Sequence, residues 1–307
     1  MSEQWRKQQE RGSPVLVRLI IWLALHGGRG LCRVLLVPIV TYFLATAPLA
    51  RRSSQAFMRR ALDRPPTLRD TFKHLLVFAT TLLDRVYLLN GRHRQLAVQV
   101  ENEQVFWSAL ATGRGCLLLG SHLGSFDMLG VVGSLEKNLK INVVMHLDDS
   151  AQLRKLLSCT GNRAPYNVIP LGQPGSMLRV KECLQRGEIV GILADRIYGD
   201  EPTKMLPFMG SPARFSQSPL RLARITGAPT LLVYGLFRGG NRYQIIFEDL
   251  AAQPPPVRDG NGSVAADFNN AAAVDVATGM HAYVQSLEQR ARKAPYNWFN
   301  FYDYWRT

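Results

Sequence analysis

The sequence has little that could staple a fold together covalently or through metal. Its 307 residues include four cysteines, Cys32, Cys116, Cys159 and Cys183, with no C-x-x-C pair among them. That scatter argues against a disulfide framework or a zinc site and fits small, reduced core residues in a cytosolic setting. No segment recurs with a period of 20–50 residues and no low-complexity tract dominates, which argues against a solenoid. Zinc-finger spacings and basic zippers are absent. So are a Gly-x-Ser-x-Gly elbow and a Walker-type loop; Gly27-Gly28-Arg29-Gly30 follows no strand pattern and reads as a turn. What is present is apolar substance: 47% hydrophobic against 20% charged residues, enough to bury a full core in one large domain, with or without an appended segment.

Acidic residues are also scarce, and unevenly so. Of a formal net charge of +14, the first 100 residues carry +11, from 16 Lys and Arg against 5 Asp and Glu. Basic charge beside apolar sequence points to an anionic membrane surface and not to nucleic acid. Residues 15–25 are apolar except for Arg18, and residues 34–50 run for 17 positions without a charge. The second run sits at the lower limit for crossing a hydrocarbon core of about 30 Å. It contains Pro38 and Pro48, with Arg29 and Arg33 before it and Arg51 and Arg52 after it. Symmetric positive flanks favour a segment that dips into or lies along one leaflet, whereas a spanning helix usually has one positive side. A pair of buried helices in a soluble protein is the competing reading. Ala45-Thr46-Ala47 resembles a signal-peptidase site, but 33 residues with many charges precede the apolar stretch, so the segment reads as uncleaved.

From Arg114 onward, short β-branched runs alternate with helical patterns. Strands are expected over 115–121, 141–145, 167–170, 189–194, 230–235 and 243–247. Helices are expected near 127–135, 150–159, 174–185 and 219–226. This predicts an α/β fold with a mixed, largely parallel sheet flanked by helices. A Pro-, Gly-, Asn- and Ala-rich loop over 251–270 precedes a last helix near 274–292 and an aromatic tail ending at Trp305, read as a packed cap or interfacial belt. The expected organisation is a basic, apolar helical membrane-associating arm over 1–100 and an α/β domain over 101–307.

The segment Gly115-Cys-Leu-Leu-Leu-Gly-Ser-His122-Leu-Gly-Ser-Phe-Asp127 reads as a buried strand ending at His122, a turn through Gly124 and a helix starting near Ser125. Two residues five apart on one continuous helix point about 140° away from each other. With His122 at a strand end and Asp127 in a first helical turn, the chain can double back and let the carboxylate meet the imidazole. A histidine so held has a fixed tautomer and a stabilised imidazolium, as a general base requires. Backbone N–H groups around Gly124 and Ser125 are the nearest candidates for an oxyanion site, with Ser125 read as a helix cap. In a metal site His122 and Asp127 would supply two ligands, and His146, Asp148 and Asp149 could be recruited; nothing in the sequence requires it.

These residues resemble the first motif of the glycerolipid acyltransferases and, within that group, the lipid A biosynthesis (lauroyl/myristoyl) acyltransferases. The resemblance extends through Gly187-Glu-Ile-Val-Gly-Ile-Leu-Ala-Asp195-Arg196, Leu206-Pro-Phe-Met-Gly210-Ser-Pro-Ala213, residues 221–229 and Trp298. Where lipid A enzymes usually have Asp-Gln, this chain has Asp195-Arg196, and their Trp-rich, His-containing tail is replaced by Asn-Trp-Phe-Asn-Phe-Tyr. Both features look more like relatives found with aryl-polyene or xanthomonadin-type pigment biosynthesis. The resemblance implies transfer of an acyl group from an acyl carrier protein or coenzyme A thioester to a lipid hydroxyl at the cytoplasmic face of a bacterial inner membrane, without a cofactor. His122 would be the base and Asp127 its orienting partner. Asp195 and Arg196 resemble a substrate-binding block, and Arg196, Arg154 and Arg214 could hold a phosphate or carboxylate. A basic face suits an acidic acyl carrier protein. The rivals are a non-catalytic membrane-binding protein of the same fold and a lipid esterase or thioesterase.

Overall fold

From Arg114 onward the short apolar, β-branched runs extend into strands, and most of the strands stack into one sheet. A computed structural model of the chain describes residues 14–131, 139–146, 166–251 and 275–305. Nine strands are present among these residues: β1 (Ala97–Glu101), β2 (Cys116–Gly120), β3 (Ile141–Met145), β4 (Asn167–Pro170), β5 (Ile189–Leu193), β6 (Thr203–Phe208), β7 (Ser211–Ser216), β8 (Thr230–Phe237) and β9 (Arg242–Asp249). Seven form the main sheet in the order β1-β9-β8-β2-β5-β3-β4, while β6 and β7 form a separate antiparallel hairpin. The block β8-β2-β5-β3-β4 is parallel, as the alternating pattern implies, whereas β9 turns back antiparallel on β8 and takes β1 beside it. Strand β1 and the β6–β7 hairpin were not anticipated. Their residues are half-exposed and mix Lys, Arg and Gln into the pattern, so the apolar run that marks a buried parallel strand is missing.

Every residue of β2 is buried, and its side chains alternate between two cores. Leu117 and Leu119 enter one core with Phe57, Phe208, Tyr283 and Trp298; Cys116 and Leu118 enter the other with Phe106, Ile141 and Phe247. Helices cover both faces, as a parallel sheet requires: α3 (Leu68–Leu89) and α4 (Glu103–Ala111) on one side, and α2 (Pro48–Ala61), α5 (Ser176–Gln185), α6 (Ser218–Thr226) and α7 (Val276–Lys293) on the other. The helix expected after Ser125 begins as a 3-10 turn, Phe126–Met128; residues 132–138 and the expected helix at 150–159 lie outside the described residues. After β2 the chain moves outward to β3 and β4, returns to β5, then crosses to β8 on the far side of β2. The crevice created by such a reversal lies at the carboxyl ends of these strands.

Helix α1 (Pro14–Thr46) is kinked at Gly28, whose φ of 84° takes it out of helical geometry. Among the described residues its stretch Ile20–Thr46 is the one helix long and apolar enough to cross a membrane. Cys32 and Leu36 are buried with Leu83, Val86 and Tyr87 of α3, and Val40 is buried one turn further on, while Trp22, Val34, Val37, Tyr42 and Phe43 remain exposed, Val34 to 68%. Such an exposed apolar face is what a membrane-associating helix presents.

One buried carboxylate pins this helix to the body. Asp84 of α3 accepts from Arg29 Nε and Nη2 at 2.6 and 2.7 Å and from Tyr243 Oη of β9 at 2.7 Å. Arg33 donates to the Gly240 carbonyl in the β8–β9 turn at 3.0 Å, so the helix runs past the end of the sheet where β8 terminates. Removing one partner of a buried, hydrogen-bonded pair leaves the other charge uncompensated. Asp84→Ala is expected to lower the free energy of unfolding by about 3–5 kcal/mol, measured by urea unfolding of detergent-solubilised protein, whereas substitution of the exposed Arg69 leaves it within about 0.5 kcal/mol.

Candidate active site

The parallel register of β2 and β5 determines what meets at the edge of the sheet. Gly120 stands opposite Leu193, and the Ala194 N–H donates to the Gly120 carbonyl at 3.0 Å. Two residues further along both strands come His122 and Asp195. His122 Nδ1 lies 2.8 Å from Asp195 Oδ1, and the His122 backbone N–H donates to Asp195 Oδ2 at 2.9 Å. The Asp195 side chain has no exposed surface, whereas the His122 side chain retains 19%. Burial acts to raise the Asp195 carboxyl, but the His122 charge and hydrogen bonds together with the Arg196 charge outweigh it and hold the pKa at about 2. An ionised carboxylate only accepts, so Nδ1 carries the proton and Nε2 presents the lone pair. This is the tautomer of a general base.

Asp195, not Asp127, is therefore the carboxylate that meets Nδ1, and the expected His122–Asp127 pairing is corrected accordingly. Asp127 accepts from Tyr166 Oη at 2.7 Å and faces Arg85 Nε at 3.1 Å. The cause is the short turn. Phe126 lays its ring over β2 and β5 where both strands have glycine: a Cβ at Gly120 would stand 2.4 Å from the ring and one at Gly191 2.8 Å. The next residue is thereby directed toward Arg85 of α3. Burial raises the Tyr166 phenol well above its ordinary range, which keeps it a donor to Asp127.

The loop between His122 and Phe126 is held almost entirely through its backbone. Gly124 has φ +83°, and its N–H donates to the Asn297 carbonyl at 2.7 Å; the Ser125 N–H donates to the Gly235 carbonyl at 2.8 Å. A Cβ at Gly124 would lie 2.2 Å from the Gly235 carbonyl oxygen, so this turn needs glycine for both conformation and space. Both N–H groups expected to serve an oxyanion are thus occupied. Ser125 makes no side-chain capping bond.

Of the remaining expected residues, Arg196 reaches the tail, with Nε donating to Asn300 Oδ1 at 2.9 Å and Nη2 to the Phe299 carbonyl at 3.3 Å. Arg214 stands exposed on β7, opposite Met205 of β6. Arg154, Asp148 and Asp149 lie outside the described residues. His146, beyond β3, stacks on Tyr198 with ring centroids 4.3 Å apart.

The aromatic tail, expected to be only a cap or belt, is built into the site. Phe299 N–H donates to the His122 carbonyl at 2.8 Å, Trp298 forms an antiparallel bridge with Leu123, and the Asn297 amide bonds both the N–H and the carbonyl of Phe237. Trp298 Nε1 and Asn300 Nδ2 both donate to Asp195 Oδ2, at 3.2 and 2.9 Å.

The model of the bacterial lipid A biosynthesis acyltransferases matches residues 68–307, from the start of α3 through this tail. The chain belongs to that family. A search of curated proteins found no match. The acyltransferase thus places within the family match both residues of the His122–Asp195 pair and the tail segment that supports it.

Support for the tail extends to a second, fully buried histidine in the acyltransferase. His74 of α3 donates from Nε2 to the Trp298 carbonyl at 2.8 Å and accepts at Nδ1 from Ser54 Oγ of α2 at 2.9 Å. Burial outweighs the Trp298 hydrogen bond and lowers its pKa from 6.5 to about 4. An unfolded histidine takes up its proton near pH 6.5, before the folded one does. Stability contributed by neutral His74 is therefore full above pH 6.5 and is lost as the pH falls toward 4. Wild type should lose about 3 kcal/mol more than His74→Gln across that interval, measured as the difference between their unfolding free energies at successive pH values.

Proposed function

We propose that this acyltransferase moves a fatty acyl group from a thioester, carried by an acyl carrier protein or coenzyme A, to a hydroxyl of a lipid or lipid-linked acceptor. The observation that carries this reading is the Nδ1–Asp195 contact at the end of two paired strands, because it leaves Nε2 of a partly exposed imidazole as the basic nitrogen. Nε2 takes the proton of the acceptor hydroxyl as its oxygen attacks the thioester carbonyl, and Asp195 stabilises the imidazolium that forms. Collapse of the tetrahedral adduct breaks the carbon–sulfur bond, and the proton on Nε2 passes to the leaving thiolate. No acyl-enzyme is needed. In this reading Asp127 acts through position: its ties to Arg85 and Tyr166 hold the turn that follows the histidine. Arg196 supplies positive charge beside the pair for an anionic portion of a substrate.

The arm fits a site fed from a lipid surface. Its anchor at Gly240 lies at the β8 end of the sheet, the end at which His122 and Asp195 follow β2 and β5. Arg52 and Arg59 of α2 are exposed close in sequence to the apolar surface of α1, which suits anionic headgroups at the cytoplasmic leaflet. In this reading, residues 1–100 serve as the membrane-associating part and 101–307 as the acyl-transfer domain.

The test is mass spectrometry of total lipid from a deletion strain complemented with wild type or His122→Ala. Wild type should yield a species heavier by one acyl chain, and its parent mass identifies the acceptor; His122→Ala should lower its formation by about 10²–10⁴-fold. Equal lipid profiles from the two strains would exclude His122 as the base. Free fatty acid released beside an unchanged acceptor would indicate a hydrolase.

A further inference from the structure

The two polar side chains that the tail contributes to Asp195 have no counterpart in a simple His–Asp pair. Oδ1 of Asp195 meets His122 Nδ1, while Oδ2 accepts three donors: the His122 N–H, Trp298 Nε1 and Asn300 Nδ2. The orientation of the Asn300 amide is fixed by chemistry at both ends. Arg196 can only donate, so Oδ1 of Asn300 faces it; the Asp195 carboxylate can only accept, so Nδ2 faces that. Trp298 is fully buried among Phe57, Phe208 and Tyr304, with its carbonyl held by His74, which fixes the direction of its indole N–H.

Three donors on one oxygen draw the carboxylate's negative charge toward Oδ2 and away from the oxygen that faces the imidazole. We propose that Trp298 and Asn300 are positioning residues which, by loading Oδ2 of Asp195, set the strength of its hold on His122 and hence the pH above which the histidine acts as base. This rests on the reading of His122 as the base. The other titratable groups around Asp195 are Arg196 beyond β5, Tyr234 of β8, Tyr283 of α7, and Tyr302 and Tyr304 of the tail. Burial raises all four phenols, which keeps them neutral across the working pH range, so the cation among these neighbours is Arg196.

Removing a donor from Oδ2 returns charge to Oδ1, strengthens the bond to Nδ1–H and favours the imidazolium. The acidic limb of the pH–rate profile should then move upward. Removing the carboxylate has the opposite sign. The experiment follows thiol release from dodecanoyl-acyl carrier protein by the full-length protein in detergent, with lipid from the deletion strain as acceptor, and records kcat/KM from pH 5 to 9. Asn300→Ala and Trp298→Phe should each raise the midpoint of the acidic limb by about half a pH unit or more, with plateau rates within about tenfold of wild type. Asp195→Asn should lower that midpoint and reduce the plateau by at least about 100-fold. Asn300→Leu, close in shape to the native residue but without a donor, guards against a cavity left by the alanine variant and should shift the limb upward to a similar extent. Unmoved limbs in all three tail variants, at any plateau, would reduce the tail to packing and overturn the proposal. If His122→Ala keeps the wild-type rate, the base assignment itself has failed, a result distinct from unmoved limbs in tail variants of an enzyme that needs His122.

Discussion

Asp195 carries its negative charge with no exposed side-chain surface, a condition that a protein sustains only by surrounding the carboxylate with donors. The donors come from three separate parts of the chain. His122 lies beyond β2, Arg196 adds positive charge from the residue next along, and Trp298 and Asn300 arrive from the last turn of the sequence more than 100 residues away. Each of those parts is fixed by its own constraint. The register of β2 on β5 brings His122 level with Asp195, the glycine at 124 lets the following loop close on Gly235 and Asn297, and the Asn297 amide attaches the tail to β8. Withdraw the tail and the carboxylate loses two of its four hydrogen bonds, while the loop loses its antiparallel partner.

How far this was legible in the sequence depends on whether the signal was local. The parallel strands at 141–145 and 189–193 announce themselves as short apolar runs buried over almost their whole length, with Asn142 the one polar interruption, and the edge strand 167–170 is marked by its Val-Ile-Pro run although it is only partly buried. The His122 loop is similarly marked, by a buried strand that ends at Gly120 and a turn at Gly124. The His122–Asp195 pair was not legible, although both residues were singled out. Each stands two positions beyond the end of its strand, but that coincidence has meaning only once β2 and β5 are known to be neighbours, and strand order is a property of the whole chain. Proximity in sequence favoured Asp127, and the ring of Phe126, filling the space above Gly120 and Gly191, is what turned it toward Arg85.

The tail shows the same limit from another direction. Eleven residues rich in Trp, Tyr and Phe read as packing, and packing is most of what they do: Trp298, Phe208, Tyr304 and Trp305 form one contiguous aromatic cluster. Within it the polar atoms have specific tasks. An aromatic cap can place an indole N–H or a carboxamide against a buried charge more rigidly than a loop of small polar residues could, because the rings have few rotamers and the cluster restrains them. The composition discloses the rigidity but not the direction of the donors.

Arg196 after Asp195 and the Asn-containing tail, far apart in the sequence, turn out to be one feature. Arg196 donates to Asn300, and Asn300 donates to Asp195. An amide between a guanidinium and a carboxylate passes a hydrogen bond in one direction only, so each residue makes sense of the other. Arg196 needs an acceptor that is not the carboxylate already engaged by His122, and Asn300 needs a donor to hold its oxygen away from Asp195. The guanidinium, the amide and the carboxylate therefore form one directed chain of hydrogen bonds. Arg196 and Asn300 thus lie against the Asp195 carboxylate, where they bear on the charge that faces His122.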